Sequence, residues 1–455
     1  MPFAISRLVA ALALVLACAG PAATQRVEIG PDALRDQAAR AAAAGFSQRA
    51  LSYSDALLQR DPQDIGAWLI RAQAARDMGR YDDSRGAARR AWGLAGTDRQ
   101  RYAASLAMAQ AQSSAGNRIS AQWWLRRAVQ NAPDPAARAR AVRDFRYVRA
   151  RNPWAADFSF SIAPRSNVNN GSARATTRLF DLPFEFQLDG SAQALSGIEI
   201  AGGANLRYRL DQDSTHRSDL LLRFHHRGYA LSDAAKAQAP GVSGSDFAFS
   251  SVSIGLVHET RPPGRGAPRK THGVVGRTWY GGDPYMQFVQ LGLTQHFALT
   301  PRTGAALGLG VEAQQGLSRA SDSRSVQLGA DLVRVMAGGH RLHLGLDGLV
   351  SRAHSANLDF DKLAVSAGLD LARPVLGMQL SMGMTASVKD HDRSALSAAG
   401  RHDEELALRV TADFPAVDYY GFIPSATVSA ARTRSDIDLY DTNEVGLEIG
   451  FRSAF

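Results

Sequence analysis

The C-terminal stretch VGLEIGFR, residues 445–452, alternates apolar residues with small or charged ones, and the sequence stops three residues later at Phe455. Successive side chains of a β-strand point to opposite faces, so this stretch predicts a strand with one apolar face and one polar face. A strand of that kind suits a transmembrane β-barrel, which has lipid on its outside and water on its inside.

The same alternation recurs upstream, in residues 305–312, 378–389 and 406–414. Fourteen candidate strands start near Asp157, Ile198, Asp219, Phe247, His272, Met286, Gly304, Arg324, Arg341, Lys362, Leu376, Glu404, Ile423 and Asn443. We therefore predict a transmembrane antiparallel β-barrel of about fourteen strands over residues 154–455. A soluble β-sandwich would also alternate, but it should carry fewer charges on one face.

The lengths of the connections give an internal check on this count. Barrels of this class have long loops at one end and short turns at the other. Residues 166–196, 231–245 and 390–403 fall at one predicted end, whereas residues 300–303, 337–339 and 373–375 fall at the other. The short connection at residues 281–284 is the exception, so a count that is wrong by two strands stays open.

The end of the chain also resembles the signal by which the barrel-assembly machinery recognises its substrates. That signal is a terminal aromatic residue preceded by apolar residues at every second position. We therefore expect Leu447, Ile449, Phe451 and Phe455 to carry it.

The first residues of the chain are predicted to be an export signal. An apolar stretch, residues 8–19, follows Arg7 and is followed by small residues. The stretch is too short to span a bilayer, so we place a secretory signal peptide at residues 1–22. The single cysteine, Cys18, lies inside it in a context that resembles a lipidation box, and lipid attachment there stays an alternative.

Residues 23–153 have a helical pattern. They are rich in Ala, Leu, Gln and Arg, and their apolar residues recur at helical spacing. Gly45, Gly79 and Gly116 lie 34 and 37 residues apart. This spacing is typical of the tetratricopeptide repeat (TPR), in which a small residue lets two helices cross closely. The sequence thus predicts a TPR-like all-α domain at residues 23–153, with the linker to the barrel near Pro153.

The helical segment also carries the excess positive charge. Residues 25–153 contain 22 arginines and no lysine against 12 acidic residues. A solvated arginine-rich surface would explain this, and an acidic client protein or anionic lipid headgroups are the alternatives. An exported protein rarely meets nucleic acid, so we expect none as a partner. The candidate client-docking residues are Arg85, Arg89, Arg90, Arg126 and Arg127.

No motif for catalysis or metal binding is evident. The sequence has no phosphate-binding loop, no HExxH and no GxSxG. Charged residues on the small face of the predicted strands, such as Glu312, Asp347 and Arg409, are expected to pair around water in the lumen. We therefore expect no enzymatic activity, no catalytic residue, no metal site and no cofactor. Passage of a substrate or display at the surface remains as the function.

Several motifs resemble those of the surface lipoprotein assembly modulator family, called Slam. Ser166, Asn167 and Asn169, in the motif SNVN at the exit of the first predicted strand, are similar to a serine–asparagine motif of that family. YGFIP (residues 420–424) enters the penultimate strand and RSDI (residues 434–437) leaves it. Family members usually have asparagine where RSDI has aspartate. The order of signal, short TPR domain and barrel is also similar.

The resemblance implies an outer-membrane translocon that delivers particular client proteins from periplasm to cell surface. Its clients would be surface lipoproteins or secreted haem- or metal-binding proteins, and its TPR domain would lie in the periplasm. The other expected partners are the barrel-assembly machinery, outer-membrane lipid and periplasmic chaperones. Two alternatives stay open: a polysaccharide exporter that joins TPR repeats to a barrel, and a nutrient porin anchored by its repeats.

Overall fold

The computed structural model describes residues 29–453 apart from residues 179, 181–183, 263–266 and 319. The predicted signal peptide, Cys18 and Phe455 lie outside the described residues. Contacts between Cα atoms divide the chain into two compact units, residues 1–117 and 118–455. The domain boundary that the sequence places at residue 153 stays a prediction.

The first unit is helical. Its helices are α1 (Pro31–Ala43), α2 (Ser47–Arg60), α3 (Ile65–Asp77), α4 (Tyr81–Leu94) and α5 (Asp98–Ser114). Side chains cap two of them, because the Asp64 carboxylate accepts a hydrogen bond from Ala67 N and Thr97 forms a capping box with Gln100. The core is built largely of alanine, including Ala50 and Ala74, which are fully buried. Small side chains of this kind let the helices pack closely.

The repeated glycines have a different role from the one that the spacing suggested. Gly45 and Gly79 lie in the turns after α1 and α3, with φ of 80° and 75°. A Cβ added at either glycine would meet no atom within 4 Å, so neither one makes room for a crossing helix. The left-handed backbone of a helix C-terminus favours glycine, which explains the regular spacing.

The second unit begins with two helices and continues as strands. The helices are α6 (Arg118–Gln130) and α7 (Pro135–Arg151). The strands are β1 (Trp154–Arg165), β2 (Thr176–Thr177), β3 (Phe186–Gln187), β4 (Gly197–Gln212), β5 (His216–Leu231), β6 (Phe249–Thr260), β7 (Arg269–Tyr280), β8 (Asp283–Thr300), β9 (Thr303–Gly316), β10 (Ser323–Val335), β11 (Arg341–Ala353), β12 (Phe360–Asp370), β13 (Gln379–His391), β14 (Arg401–Asp413), β15 (Phe422–Ser435) and β16 (Thr442–Ser453). A short helix, α8 (Asp233–Gln238), lies between β5 and β6.

Strands β1 and β4 to β16 form a closed antiparallel barrel of fourteen strands. Each strand from β4 onward pairs with the next, and β1 pairs with both β4 and β16. All fourteen strands begin within three residues of the predicted starts. The predicted barrel of fourteen strands is therefore confirmed.

The two faces of the barrel wall differ as expected. Leu309, Leu328 and Leu346 are exposed, and their neighbours in register are also apolar. Side chains that reach over an intervening strand, such as Lys362 of β12 to Glu405 of β14, belong to the concave face, where side chains converge. The apolar face is thus the outer one. Among the described helices, none is long and apolar enough to cross a membrane.

We call the end of the barrel where α7 leads into β1 the helix end, and the opposite end the loop end. Connections at the helix end include the three-residue turn at residues 213–215, whereas the loop end carries residues 166–196. In that turn the Asp213 carboxylate accepts hydrogen bonds from the Thr215 N–H, the Thr215 hydroxyl and the His216 N–H. These bonds lower the pKa of Asp213 to about 2.

The short connection at the loop end is a tight turn and not a missed pair of strands. Gly281 and Gly282 join β7 to β8 with φ of 59° and 90°. A two-residue hairpin turn of type I′ needs positive φ at both positions, which glycine adopts without strain. The count of fourteen strands therefore holds.

Candidate functional site

The lumen wall carries charges of both signs. Arg165 of β1 lies 3.0 Å from a carboxylate oxygen of Glu199, 3.1 Å from one of Glu444 and 3.8 Å from one of Glu448. One guanidinium therefore faces three carboxylates from the neighbouring strands β4 and β16. Because Arg165 is mostly shielded from solvent, removing it would leave those carboxylates close together without a counter-charge.

Further charged and polar side chains pair on the wall. Lys362 lies 3.3 Å from Glu405, His343 lies 3.0 Å from Asp370, and Arg452 pairs with Asp413. Two cavities with polar linings open on the lumen side of the wall. One of about 510 Å³ is lined by Arg165, His343, Thr385, Glu405, Arg409 and Glu444. The other, of about 250 Å³, is lined by Gln290, Glu312, Gln327, Ser351 and other residues.

The SNVN motif shapes the first loop at the loop end. The Asn167 side chain is buried and exchanges two hydrogen bonds with the backbone of Gly171, at 2.9 and 3.0 Å. The Asn169 amide donates to the carbonyls of Ser191 and Gln193, and its oxygen accepts from the Leu195 N–H. The two asparagines therefore satisfy backbone groups that no strand partner satisfies, and they hold the start of the loop against its end.

Ser166, the first residue of the motif, bonds to β16. Its hydroxyl accepts a hydrogen bond of 2.8 Å from the Val445 N–H, and its own N–H donates to the Val445 carbonyl at 3.2 Å. The residue thus continues the pairing of β1 with β16 beyond the end of β1. The motif residues that the resemblance singled out are accordingly structural residues of the loop end.

The first loop also bonds to other loops at this end. Ser172 donates to the Asp438 carbonyl, and the Ala173 N–H donates to the Asp441 carbonyl at 2.7 Å. The Arg174 guanidinium lies 2.9 Å from the Asp441 carboxylate, which raises the pKa of Arg174 through a side-chain hydrogen bond. The loop therefore links distant strands at the loop end of the lumen.

The residues of the predicted assembly signal share one strand. Leu447, Ile449 and Phe451 are exposed on the outer face of β16, where lipid would contact them. Phe455 lies outside the described residues, and the recognition of this segment by the assembly machinery stays a prediction.

The five candidate docking arginines fall in both units. Arg85, Arg89 and Arg90 lie on α4, where Arg85 pairs with Asp82 and the other two are exposed. Arg126 and Arg127 lie on α6 in the second unit, and Arg127 stacks its guanidinium 4.5 Å from the Trp124 ring centroid. The charges at these two places can therefore be tested separately.

Arg126 contacts the turn between β14 and β15, residues 414–421. Its guanidinium donates to the Tyr420 carbonyl at 3.0 Å and lies 4.6 Å from the Phe422 ring centroid and 4.9 Å from that of Phe145. Burial between these rings lowers the pKa of Arg126, and the positive charge of Arg149 acts in the same direction. The side chain thus fixes α6 and α7 to the barrel.

The same turn makes further contacts that the sequence did not predict. The Tyr420 ring stacks on Trp123, the Tyr420 N–H donates to Gln130 at 2.9 Å, and Arg138 pairs with Asp418. The motif YGFIP does mark the turn in the sequence. Its partners on α6 and α7 stand almost 300 positions earlier, so no local pattern connects them.

In a closed barrel every strand pairs with a neighbour on each side, so no open sheet edge faces the lipid. The apolar outer face suits the same surroundings. This fold, with its charged lumen, defines the chain as a transmembrane β-barrel protein of the outer membrane. Residues 154–455 match the surface lipoprotein assembly modifier family. The match covers more than half of the sequence, so the chain belongs to that family, and the resemblance seen in the motifs is confirmed.

Comparison with solved structures gives distant likenesses. OccAB4 of Acinetobacter baumannii is 9% identical, with 66% of this chain and 98% of that chain covered and a TM-score of 0.33. A BenF-like porin of Pseudomonas fluorescens is 10% identical, with 66% and 99% covered and a TM-score of 0.35. The Yersinia enterocolitica type III secretion translocator chaperone SycD is 19% identical, with 27% and 88% covered and a TM-score of 0.24.

These values are too low for the likenesses to inform function. Among curated proteins no match is found. Family membership gives the chain a role in the assembly of surface lipoproteins. Family and fold are those of a transport or assembly barrel and not of a known enzyme class.

Proposed function

We propose that this protein is a translocon that moves particular lipoproteins from the periplasm through the outer membrane to the cell surface. The observation that carries the proposal is the family match over the whole barrel, whose lumen is charged and polar. An extended polypeptide needs partners for its backbone N–H and C=O groups at every residue. A wall with both donors and acceptors, such as Arg409 and Glu405, can supply them.

The composition of the lumen bears on the alternatives. Polysaccharide exporters of this architecture tend to have a lumen rich in acidic or aromatic residues, whereas the cations Arg165, Lys362 and Arg409 stand among the carboxylates here. A nutrient porin has no part in lipoprotein assembly, so the family match does not support that alternative. Secreted haem- or metal-binding proteins remain a second class of client.

The helical residues 23–153 would lie in the periplasm and collect the client. Arg89 and Arg90 are exposed on α4, whereas Arg126, on α6, is bonded to the turn between β14 and β15. An acidic segment of a client, or of a periplasmic chaperone that delivers it, would complement these arginines. A client bound to the same chain as the barrel would have a raised effective concentration at the barrel.

The test is surface display of lipoproteins. Cells with and without the gene are labelled with radioactive palmitate and treated intact with proteinase K, and the labelled protein that the protease degrades is measured. We expect degradation of one or a few labelled proteins to depend on the gene and to return when full-length protein is supplied from a plasmid.

The same strains distinguish the alternatives. An unchanged set of protease-sensitive lipoproteins, together with a loss of solute uptake, would replace the translocon with a porin. Loss of surface glycan with unchanged lipoproteins would replace it with an exporter. Total palmitate-labelled protein serves as the control for synthesis.

A further inference from the structure

The seam between β1 and β16 differs from every other seam of the barrel. Among the described residues, only four pairs join the two strands: Phe160–Phe451, Ser161–Gly450, Ile162–Ile449 and Arg165–Gly446. At each of the other seams ten or more pairs are formed. Among the residues that the structure describes, the seam where the barrel closes therefore has the fewest backbone pairs.

The gap in pairing lies on the β16 side of β1. With β4, on its other edge, β1 pairs over all of its residues, Trp154–Arg165, so the strand itself is regular. Toward β16 the pairing is interrupted at Ala163 and Pro164, and it does not continue to Phe158 and Ser159. Proline has no N–H to donate, which accounts for part of the interruption.

Side chains compensate for the missing ladder at the loop end of the seam. Arg165 bonds across it to Glu444 and lies near Glu448, and the Ser166 hydroxyl bonds to Val445. Polar side chains that line a wet lumen can exchange such contacts for hydrogen bonds with water. A continuous backbone ladder inside a bilayer cannot, because each unpaired group would be left without a partner.

The two sides of this seam differ in polarity. On its outer side Phe160, Ile162, Ile449 and Phe451 are exposed, and on its inner side stands the Arg165 cluster. An opening here would connect the apolar exterior of the barrel directly with its polar interior.

We propose that the β1–β16 seam is a lateral opening for a lipidated polypeptide. The polypeptide would move through the lumen while the acyl chains at its terminus remain in the bilayer beside Phe160 and Phe451. Acyl chains drawn through a charged lumen would lose their hydrophobic surroundings, and a slit in the wall avoids that loss. The inference rests on the proposed function, because it requires a client that is both protein and lipid.

The test locks the seam with a reversible disulfide. The only cysteine, Cys18, lies in the predicted signal peptide, so Ile162→Cys with Ile449→Cys would add the sole pair to the mature chain. The matched control is Val410→Cys with Val428→Cys, a pair equally exposed on the outer face at the fully paired β14–β15 seam. Both pairs are oxidised in intact cells, and disulfide formation is measured by loss of thiol labelling.

The readout is palmitate-labelled protein that proteinase K degrades on intact cells. We expect oxidation of the β1–β16 pair to lower it to the level of cells without the gene, and reduction with dithiothreitol to restore it in the same cells. Oxidation of the control pair should leave it unchanged. Recovery on reduction shows that the variant barrel was folded throughout.

Two other outcomes are distinct. Undiminished display by a barrel locked at β1–β16 would overturn the lateral opening and leave the translocon standing. If even the unmodified protein displays no more lipoprotein than cells without the gene, the proposed function itself fails, and the opening fails with it.

Discussion

The helical segment and the barrel place their apolar side chains in opposite ways. In the helices, alanines such as Ala38 and Ala50 are wholly buried, and charged side chains face outward. In the barrel, leucines such as Leu328 face outward, and the ion pairs lie inside. The reason is the surrounding medium, since water drives apolar groups inward whereas a bilayer accepts them on the outside.

The largest expected effect breaks the pattern in the helices. Ala38 is buried and Ala39 is exposed on the same helix, α1. Ala38→Asp would bury a charge without a partner and should destabilise the helical segment by about 4 kcal/mol or more. Ala39→Asp should cost well under about 1 kcal/mol. Thermal unfolding of the full chain, followed by far-ultraviolet circular dichroism, measures both, and equal effects would contradict the assigned faces.

The next prediction reverses the pattern in the barrel. Leu328 and Gln327 are neighbours on β10, with Leu328 on the outer face and Gln327 in the lumen 3.4 Å from Asp347. Leu328→Arg should destabilise the barrel by about 2–4 kcal/mol because it places a charge in lipid. Gln327→Arg gains a carboxylate partner and should be nearly neutral. Urea unfolding in lipid vesicles distinguishes them, and a larger loss at Gln327 would invert the two faces.

A smaller effect is expected at the first loop, which follows neither pattern. Asn169→Ala removes the acceptor of the Leu195 N–H and two donors to loop carbonyls, at a cost of about 1–3 kcal/mol. The loop should then open locally, and trypsin should cleave the purified protein faster at Arg174 and Arg178. Exposed Gln187, on the same loop, gives the control Gln187→Ala. Unchanged cleavage in the Asn169 variant would remove the structural role of the motif.

The smallest change in stability is expected where α6 meets the barrel. Arg126→Ala removes a hydrogen bond and two cation–π contacts, and should destabilise the second unit by about 1–2 kcal/mol.

Arg89→Glu with Arg90→Glu, on an exposed face, should leave stability unchanged and lower lipoprotein display if these residues dock the client. Calorimetry and protease shaving of intact cells separate the two effects. Normal display in the double variant would remove the docking role of α4.

Much of the barrel could be predicted from local sequence. Alternation predicted every strand start to within three residues, and it also assigned Glu312, Asp347 and Arg409 to the lumen face. The glycine spacing located the helix turns, although the reason proved to be positive φ and not close crossing of helices. The connection at Gly281 looked too short for its end of the barrel only because its turn geometry could not be seen in the sequence.

The contacts that give the molecule its particular character were not predictable in the same way. The stack of Trp123 on Tyr420 joins residues almost 300 positions apart in the sequence. The bonds of the first loop to Asp441 span a similar number of positions. Ser172, in the long connection at residues 166–196, proves to be buried and bonded to Asp438. Such pairs depend on which loops the closed barrel brings together.

The sequence by itself determined the medium that each region occupies, because a period of two residues or of 3.6 records on which side of every element water lies. It thereby determined the class of fold and the faces of the wall, and it gave the number of strands to within two. Only the tertiary structure decided how the barrel closes. Pairing of β1 with β16 depends on backbone groups and on the meeting of Arg165 with Glu444, residues 279 positions apart. Neither contact produces a periodic pattern in the sequence. The small number of described backbone pairs at that seam is therefore seen only in the closed barrel.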